Sequence, residues 1–286
     1  MATSVREIGL QDIDFVWEML LEEQWNDRRE DAVRMSSFEP EGCFIAEVGR
    51  ERVGHVFSIT YGSTLAWIGY VIVKARLRHR GMATLLMRKT LDYLSNKHIQ
   101  TVKLEAVPEI ADLYRGLGFK DEYDSLRFAG TSRHYTLPRD AAVKPLPPNL
   151  IEETAHFDAA YFGAARTRVL SKLHEESPGL CYVASDATGV KGYVMCRRVE
   201  FGYTLGPWVC RPENPEAAEH LLAACLSATE PDSKVYVGTP APNTAATSIL
   251  QKFGFQQYSK SIRMRLGKPA KDRIAGIFAI GGPMKG

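Results

Sequence analysis

Apolar and polar residues follow two alternating periods along the first half of the chain. Short apolar or alternating runs predict strands at 5–8, 43–48, 52–60, 65–73, 101–106, 119–123 and 126–136. Helical spacing predicts a helix that begins near Asp12 as its N-cap, a second that contains Met82 and Leu94, and a short one over 109–117. This alternation is typical of an α/β fold around a mixed sheet.

One strand and one connection stand out in this pattern. The run LAWIGYVIV at 65–73 is nearly all apolar, so we predict a central strand that is covered on both faces. Four prolines lie among residues 138–149, a composition that predicts a stiff linker. We therefore expect three segments: a first domain over 1–137, the linker over 138–149, and a second domain over 150–286.

The second half repeats the order of the first. We predict helices at 150–161, 166–176, 215–228 and 243–253, and strands at 179–185, 190–198, 202–210, 234–238 and 255–266. The motif GLGF ends at Phe119 and KFGF ends at Phe255, an offset of 136, while the apolar strands end at Val73 and Cys210, an offset of 137. Two landmarks that agree within one residue favour a duplicated unit over coincidence. Asn243 is predicted to be a helix N-cap.

A basic turn that contains glycine connects the apolar strand to the next helix. A helix N-terminus presents unpaired N–H groups to an anion, and Gly81 would let the backbone approach a phosphate closely. Ala83 keeps the next turn small, and Arg76, Arg78 and Arg80 add positive charge. The turn therefore predicts a diphosphate cradle; the alternative is a solvated turn that caps an ordinary helix.

Two motifs carry a family resemblance. Arg78, Gly81 and Ala83 match the signature R/Q-x-x-G-x-G/A, and about thirty residues later LYRGLGF at 113–119 supplies a short helix with a tyrosine that ends in Gly-Phe. This arrangement resembles the GNAT superfamily, the GCN5-related N-acetyltransferases. Many members have proline where Ala75 stands, a departure that weakens the rigidity of the turn and not the logic of binding.

The resemblance covers residues 3–136 well and residues 150–266 more loosely. Segments such as 158–166 and 206–208 resemble the second domain of a two-domain subgroup in which the second unit is degenerate. The resemblance implies tandem GNAT-like folds, each a mixed, mostly antiparallel sheet flanked by helices.

The resemblance also implies acetyl-CoA as cosubstrate. The apolar strand would bind the pantetheine arm, and the basic turn with the first turn of its helix would bind the diphosphate. The implied binding residues are Val71, Ile72 and Val73 on the strand, and Arg78, His79, Arg80, Gly81, Met82, Ala83 and Thr84 on the turn.

Catalytic roles come from the same family pattern. Tyr114 would protonate the leaving thiolate, although it could instead pack on the sheet. Glu105 is a candidate base because it is a charged residue in an otherwise apolar strand; His55 and Glu47 are weaker candidates, and a core histidine is the simpler interpretation of the former. Trp25 and Asn26, after the first helix, are implied to contact the acceptor, although Trp25 could simply pack.

The second half lacks this chemistry. Alignment by the repeat offsets puts Leu250 where Tyr114 stands, and residues 211–237 contain no glycine. We therefore predict one CoA per chain, bound by the first half, and a second half that either completes the acceptor pocket or only extends the core.

Composition and charge bear on the possible partners and the compartment of the protein. A net charge of +2 is too small to favour nucleic acid, and no run is long and apolar enough for a membrane span. No targeting segment is evident at the start, so a cytoplasmic protein is expected. The five cysteines form no CxxC pair and are interpreted as buried thiols, and we expect no metal cofactor.

The leading hypothesis is an N-acyltransferase that transfers an acetyl group from acetyl-CoA to a primary amine of a small molecule. The alternatives are a protein N-terminal or lysine acetyltransferase, and an acyl-CoA-binding sensor without turnover. Nothing in the sequence specifies an oligomeric state.

Overall fold

A computed structural model describes residues 3–139 and 141–286, and Asp140 of the predicted linker lies outside the described residues. The helices are α1 Ile13–Glu22, α2 Arg29–Phe38, α3 Met82–Asn96, α4 Ala111–Gly116, α5 Ile151–Phe162, α6 Thr167–Glu176, α7 Pro215–Ser227 and α8 Thr244–Lys252. The strands of the first half are β1 Thr3–Glu7, β2 Phe44–Val48, β3 Glu51–Tyr61, β4 Leu65–Val73, β5 Thr101–Ala106 and β6 Lys120–Thr131. Those of the second half are β7 Val143–Pro145, β8 Cys181–Asp186, β9 Gly189–Arg198, β10 Tyr203–Cys210, β11 Lys234–Pro240, β12 Gln256–Gly267 and β13 Ile277–Ala279.

The predicted α/β class is confirmed, and the strand at 65–73 has the predicted bounds. Three details differ. The two strands predicted at 119–123 and 126–136 are one continuous strand, β6, because it pairs with β12 over 120–129 and with β11 over 125–131. Helix α2 was not predicted, since its apolar positions are few, and strand β7 lies inside the predicted linker, where it pairs with β8.

The strands within the described residues form one sheet that runs through both halves, in the order β1-β2-β3-β4-β5-β12-β6-β11-β10-β9-β8-β7, with β13 paired to β10. The halves exchange their last long strands. Strand β12 of the second half pairs with β5, and β6 of the first half pairs with β11. Each half is therefore completed by the other.

Helices cover the two faces of the sheet differently. On one face, here named the α1 face, α1, α2, α5 and α6 pack over a single apolar cluster that spans both halves. On the opposite face, the α3 face, α3 and α4 cover one cluster and α7 and α8 cover another. Fully burying a side chain such as Phe57 contributes about 1.5–3 kcal/mol, so the shared α1-face core holds the halves together.

Buried ion pairs add to this junction. Arg263 of β12 donates from Nε to Glu105 of β5 over 2.6 Å, and Arg197 of β9 donates to Asp31 of α2 over 3.0 Å. Breaking a pair in such surroundings leaves an uncompensated charge. The two halves are thus joined by charges as well as by apolar packing.

Candidate functional site

A gap opens in the sheet where β4 and β5 separate. These parallel strands pair from Leu65↔Thr101 to Ile68↔Leu104, and no further. Beyond that point β5 continues beside β12, while β4 continues beside β3 alone. Residues 69–73 therefore present one backbone edge to the gap without a strand partner, an edge suited to amide groups of a bound chain-like molecule.

A bulge in β4 lies at the mouth of this gap. The pairing of β3 with β4 shifts register between His55 and Phe57, so β4 holds one extra residue there. Tyr70 takes the extra position with a φ of 50°. Such a left-handed conformation costs a residue other than glycine about 1–3 kcal/mol and is found where the surroundings enforce it.

His55 is part of that enforcement. Its Nδ1 lies 2.8 Å from the carbonyl oxygen of Tyr70. A carbonyl oxygen only accepts, so Nδ1 carries the proton and Nε2 is bare. Burial lowers the pKa of His55 to about 4, an effect that the bond to Tyr70 only partly offsets. The histidine is therefore a neutral core residue, in agreement with the simpler of its two predicted roles.

The predicted diphosphate cradle has the backbone geometry of an anion site. Gly81 is the residue before α3, with a φ of 80° that favours glycine. The helix begins its bonding with the Leu85 N–H, which donates to the Gly81 carbonyl over 2.9 Å. Consequently the N–H groups of residues 82–84 have no helical acceptor, and no side chain caps them. A Cβ added at Gly81 would meet nothing within 4 Å, so the position of a side chain at this residue, directly before the helix, is open.

The arginines of the turn divide into two groups. Arg76 bonds to Glu51 and, together with Lys74, lowers the pKa of that carboxyl to about 2. Arg78 bonds to Glu23 of the α1 end and donates from Nε to the Val73 carbonyl over 3.1 Å, which anchors the turn to β4.

Arg80 is different, because it is exposed and forms no ion pair with any residue in 3–139 or 141–286. It is the arginine of this turn whose charge is not already matched by a carboxylate.

Tyr114 lies on α4, on the α3 face, and is 3% exposed. Its ring packs edge-to-face against Phe119, the last residue of the second predicted motif, at 6.1 Å. Burial raises the pKa of Tyr114 above its ordinary value. The phenol is therefore protonated at neutral pH, as a proton donor must be.

Glu105 lies on the opposite face, just past the point where β4 and β5 separate. Its carboxylate accepts from Arg127 over 2.8 Å, from Arg263 over 2.6 Å and from Ser261. Burial alone would raise the pKa of Glu105, but the charges of Arg263 and Arg127 outweigh it and hold that pKa below its usual value. These contacts describe a paired carboxylate, and its role as base stays a prediction. Glu47, the weaker candidate, is ion-paired with Arg6 on the β1–β2 edge.

Trp25 and Asn26 lie between α1 and α2 and make different contacts. The ring of Trp25 packs against that of Tyr70 with centroids 5.9 Å apart, beside the bulge. Asn26 makes two bonds with the backbone of Phe201 in the β9–β10 connection: it donates to the carbonyl over 3.1 Å and accepts from the N–H over 2.7 Å. The amide of Asn26 thus links the halves, a role that no local pattern in the sequence reveals.

The segment 281–286, which follows β13, covers the bulge on the α1 face. Trp67 donates from Nε1 to the Pro283 carbonyl over 2.8 Å, and the Tyr61 hydroxyl donates to the Lys285 carbonyl over 2.6 Å. A Cβ added at Gly69 would lie 2.7 Å from the Cα of Met284. Sequence reasoning gave this segment no role; its only signal is the apolar run GIFAI at 276–280, which forms β13.

The second half has an equivalent gap, but it is filled. Strands β10 and β11 pair from Tyr203↔Val235 to Leu205↔Val237 and then separate. Strand β13 lies in the opening, paired with β10, and the Ile280 N–H donates to the Gly238 carbonyl of β11 over 2.9 Å. The second half therefore offers no open backbone edge at this position.

Together these features describe a duplicated α/β protein with one open strand gap that leads to a helix N-terminus. The Acetyltransferase (GNAT) family model matches residues 10–119, and a second acetyltransferase (GNAT) domain model matches residues 154–279. The chain belongs to the GNAT superfamily and carries two such domains in tandem.

Similar proteins span nearly the whole chain. Holothin acyltransferase of Pseudoalteromonas sp. (strain SANK 73390) is 26% identical over 272 residues, which cover 95% of this chain and 90% of that protein. A putative acetyltransferase from Pyrococcus horikoshii has a TM-score of 0.83 at 24% identity and covers 99% of this chain and 96% of its own. A tandem GNAT protein from the clavulanic acid biosynthesis pathway has a TM-score of 0.63 at 15% identity, with 94% of this chain and 100% of that chain covered. The two structural likenesses establish the tandem fold.

No helix among the described residues is long and apolar enough to cross a membrane. Within the same residues, no group of three or more histidine, cysteine, aspartate or glutamate side chains is arranged to hold a metal ion.

Proposed function

We propose that the protein is an acyl-CoA-dependent N-acyltransferase that transfers an acetyl group from acetyl-CoA to the primary amine of a small molecule. The observation that carries this proposal is the continuity of the first half's gap with the open, uncapped N-terminus of α3. A chain-like thiol ester with a diphosphate at its far end fits both parts at once: extended amides against β4 and an anion against residues 82–84.

The residues of β4 would bind the cosubstrate's extended arm, with Val71 and Val73 as the amide partners. Acetyl-CoA supplies the activated acyl group as a thioester. The N–H of Val71 lies after the bulge and would donate to the thioester carbonyl oxygen, where negative charge grows during attack.

Tyr114 would give its phenolic proton to the departing thiolate. In the net reaction the C–S bond of the thioester breaks, a C–N bond forms to the amine, and the amine gives up a proton. Glu105 is proposed to receive that proton through water. Because Arg263 and Arg127 lower its pKa, it would be a weak base that works by remaining ionised next to the site.

The acceptor is proposed to approach from the α1 face, since Tyr114 and α4 occupy the α3 face. Trp25 lies there beside Tyr70, and segment 281–286 lies against Gly69. Both halves therefore contribute to this side of the site, which favours a second half that completes the acceptor pocket. A site enclosed by both halves would suit a small amine better than a protein chain.

Thiol release from acetyl-CoA, measured across a panel of amines and amino acids, tests the proposal. We expect at least one small amine to release thiol in step with an acylated product seen by mass spectrometry. If calorimetry shows that acetyl-CoA binds, but no amine supports release, the acyl-CoA sensor becomes the better description. Release with peptides alone would favour the protein acetyltransferase.

A further inference from the structure

The contact between His55 and the bulge in β4 has a direct consequence for the gap. We propose that His55 is a positioning residue that aims the N–H of Val71 into the gap between β4 and β5. This inference rests on the proposed function, in which that N–H donates to the thioester carbonyl.

The peptide group between Tyr70 and Val71 transmits the effect. A trans peptide is planar, and its C=O and N–H point in opposite directions. His55 lies on β3 and bonds to the Tyr70 carbonyl over 2.8 Å, so that carbonyl is held towards β3. The Val71 N–H of the same plane must then point away from β3, towards the side where β5 has separated from β4.

The position of the imidazole is itself fixed. Its ring lies edge-to-face between Phe15 and Phe57, with centroids 6.3 Å and 5.7 Å away. The side chain is fully buried, and its Nε2 has no partner among the residues that the structure describes. The bond from Nδ1 to the Tyr70 carbonyl is therefore the polar contact of this side chain within those residues.

His55 cannot act on the substrate directly. Its side chain is fully buried, and its ring packs against those of Phe15 and Phe57. It acts through Tyr70 and Val71 by limiting the directions available to one N–H, which is how a supporting shell sharpens a catalytic donor.

A pair of nearly isosteric variants tests this role. His55→Asn keeps an N–H donor at the position of Nδ1, whereas His55→Leu fills the same volume without a donor. Circular dichroism would establish that both variants fold. Acetyl-CoA labelled with a heavy carbon isotope at the thioester carbonyl would then be bound to each protein, and its carbonyl stretch recorded by difference infrared spectroscopy.

We expect the wild type to lower the carbonyl stretching frequency relative to free acetyl-CoA, the leucine variant to lose that shift, and the asparagine variant to recover it. Acetyl-CoA affinity should change little among the three. Thiol release with the best amine of the panel should slow about 10- to 100-fold in His55→Leu, a part of the loss typical of an oxyanion donor.

Two other results would contradict the inference in different ways. An unchanged carbonyl shift in a folded His55→Leu protein would overturn the role of His55 and leave the proposed function intact. A wild type that fails to bind acetyl-CoA in calorimetry would overturn the proposed function, and the positioning role with it. If both variants misfold, a crystal structure of His55→Gln tests the role instead. The positioning role requires Tyr70 to leave the left-handed region in this variant, because the partner of its carbonyl has moved. An unchanged φ at Tyr70 would overturn the role.

Discussion

The two halves of the protein separate the same pair of strands and then treat the opening differently. In the first half, β4 and β5 part after Ile68, and in the second, β10 and β11 part after Leu205, an equivalent position at the repeat offset of 137. The first opening has a free backbone edge, whereas the second contains β13, which bonds to both of its sides. A duplicated fold has kept its geometry in both copies and its open site in one.

The helix that follows each gap shows the same contrast. Helix α3 begins after Gly81, whose backbone is in the left-handed region. The position of a side chain at Gly81 is open, and the first N–H groups of the helix are uncapped. Helix α7 begins at Pro215 after Asn214, and proline has no N–H to offer an anion. An apolar strand in the gap and a proline at the helix start are compatible with the fold. In the second half, β13 and Pro215 thus stand where the first half has a free backbone edge and free N–H groups.

The largest expected effect comes from closing the open site. Gly81→Glu should abolish CoA binding, because the side chain would enter the space before residues 82–84 and its charge would repel the diphosphate. Gly254→Glu is the matched control: this glycine also has a positive φ, of 83°, and open space where a Cβ would lie. Both variants carry the same backbone strain, but we expect the second to bind CoA as the wild type does. Calorimetry measures both.

Stoichiometry completes this test. Equilibrium dialysis should give one CoA per wild-type chain and none for Gly81→Glu. Two CoA per chain would show that the second half binds CoA after all, whereas one CoA in a folded Gly81→Glu protein would rule out the placement of the diphosphate before residues 82–84.

The next effect concerns turnover. Tyr114→Phe should lower kcat about 10- to 1,000-fold, which overlaps the range of about 100- to 10,000-fold for general acid–base catalysis, with little change in CoA affinity. Leu250 stands at the equivalent position of the second half, where no proton donor is expected. Tyr182→Phe in the second half is the control, since Tyr182 is a partly buried tyrosine whose pKa, like that of Tyr114, is raised by burial. A kcat for Tyr114→Phe within twofold of the control would assign Tyr114 to packing.

The repeat, the central strand and the glycine before α3 could be predicted from the sequence, because each depends on local signals. Gly81 indicates a residue with positive φ directly before a helix, and the apolar run at 65–73 indicates a central strand. The exchange of β6 and β12 was not predictable in this way. Both are amphipathic strands at the end of a repeat, and either could pair within its own half.

The filling of the second gap was also hidden. Strand β13 is three residues long, and its apolar run identifies a buried segment without naming its partner. Likewise, Asn26 and Glu105 have their partners, Phe201 and Arg263, more than 150 positions away along the chain, so no local pattern reveals these contacts. Polar residues at a junction between repeats and polar residues at a site have the same local pattern.

A moderate effect is expected on stability at low pH. The bulge of the first half is held by His55, whereas the equivalent register position on β9 is Tyr193, whose hydroxyl donates to Asp158. His55 has a pKa of about 4 in the folded protein and about 6.5 when unfolded. Between these values the unfolded state binds more protons, so stability falls as the pH falls.

The contribution of His55 should be a loss of about 2 kcal/mol between about pH 7 and pH 5. Urea unfolding of the wild type and His55→Asn at both pH values isolates it, because all other titrating groups are shared. Equal pH dependence in the two proteins would mean that His55 is not held neutral in the fold.

The smallest effect concerns the charges beside the two helix starts. Arg80 is exposed and has no carboxylate partner among the described residues, so its charge is available to a bound diphosphate. Arg80→Ala should raise the Kd for CoA about 3- to 10-fold, as expected for a solvated charge–phosphate contact.

Arg211 is the control. It follows β10 beside the filled gap and lies 4.0 Å from Glu213, and Arg211→Ala should change the Kd less than twofold. Salt screens exposed charges. Raising the ionic strength should therefore shrink the difference in Kd between wild type and Arg80→Ala, while the difference between wild type and Arg211→Ala stays small. Calorimetry at two salt concentrations provides both comparisons. An equal loss in the two variants would indicate that CoA responds to the overall charge of the surface and not to the cradle before α3.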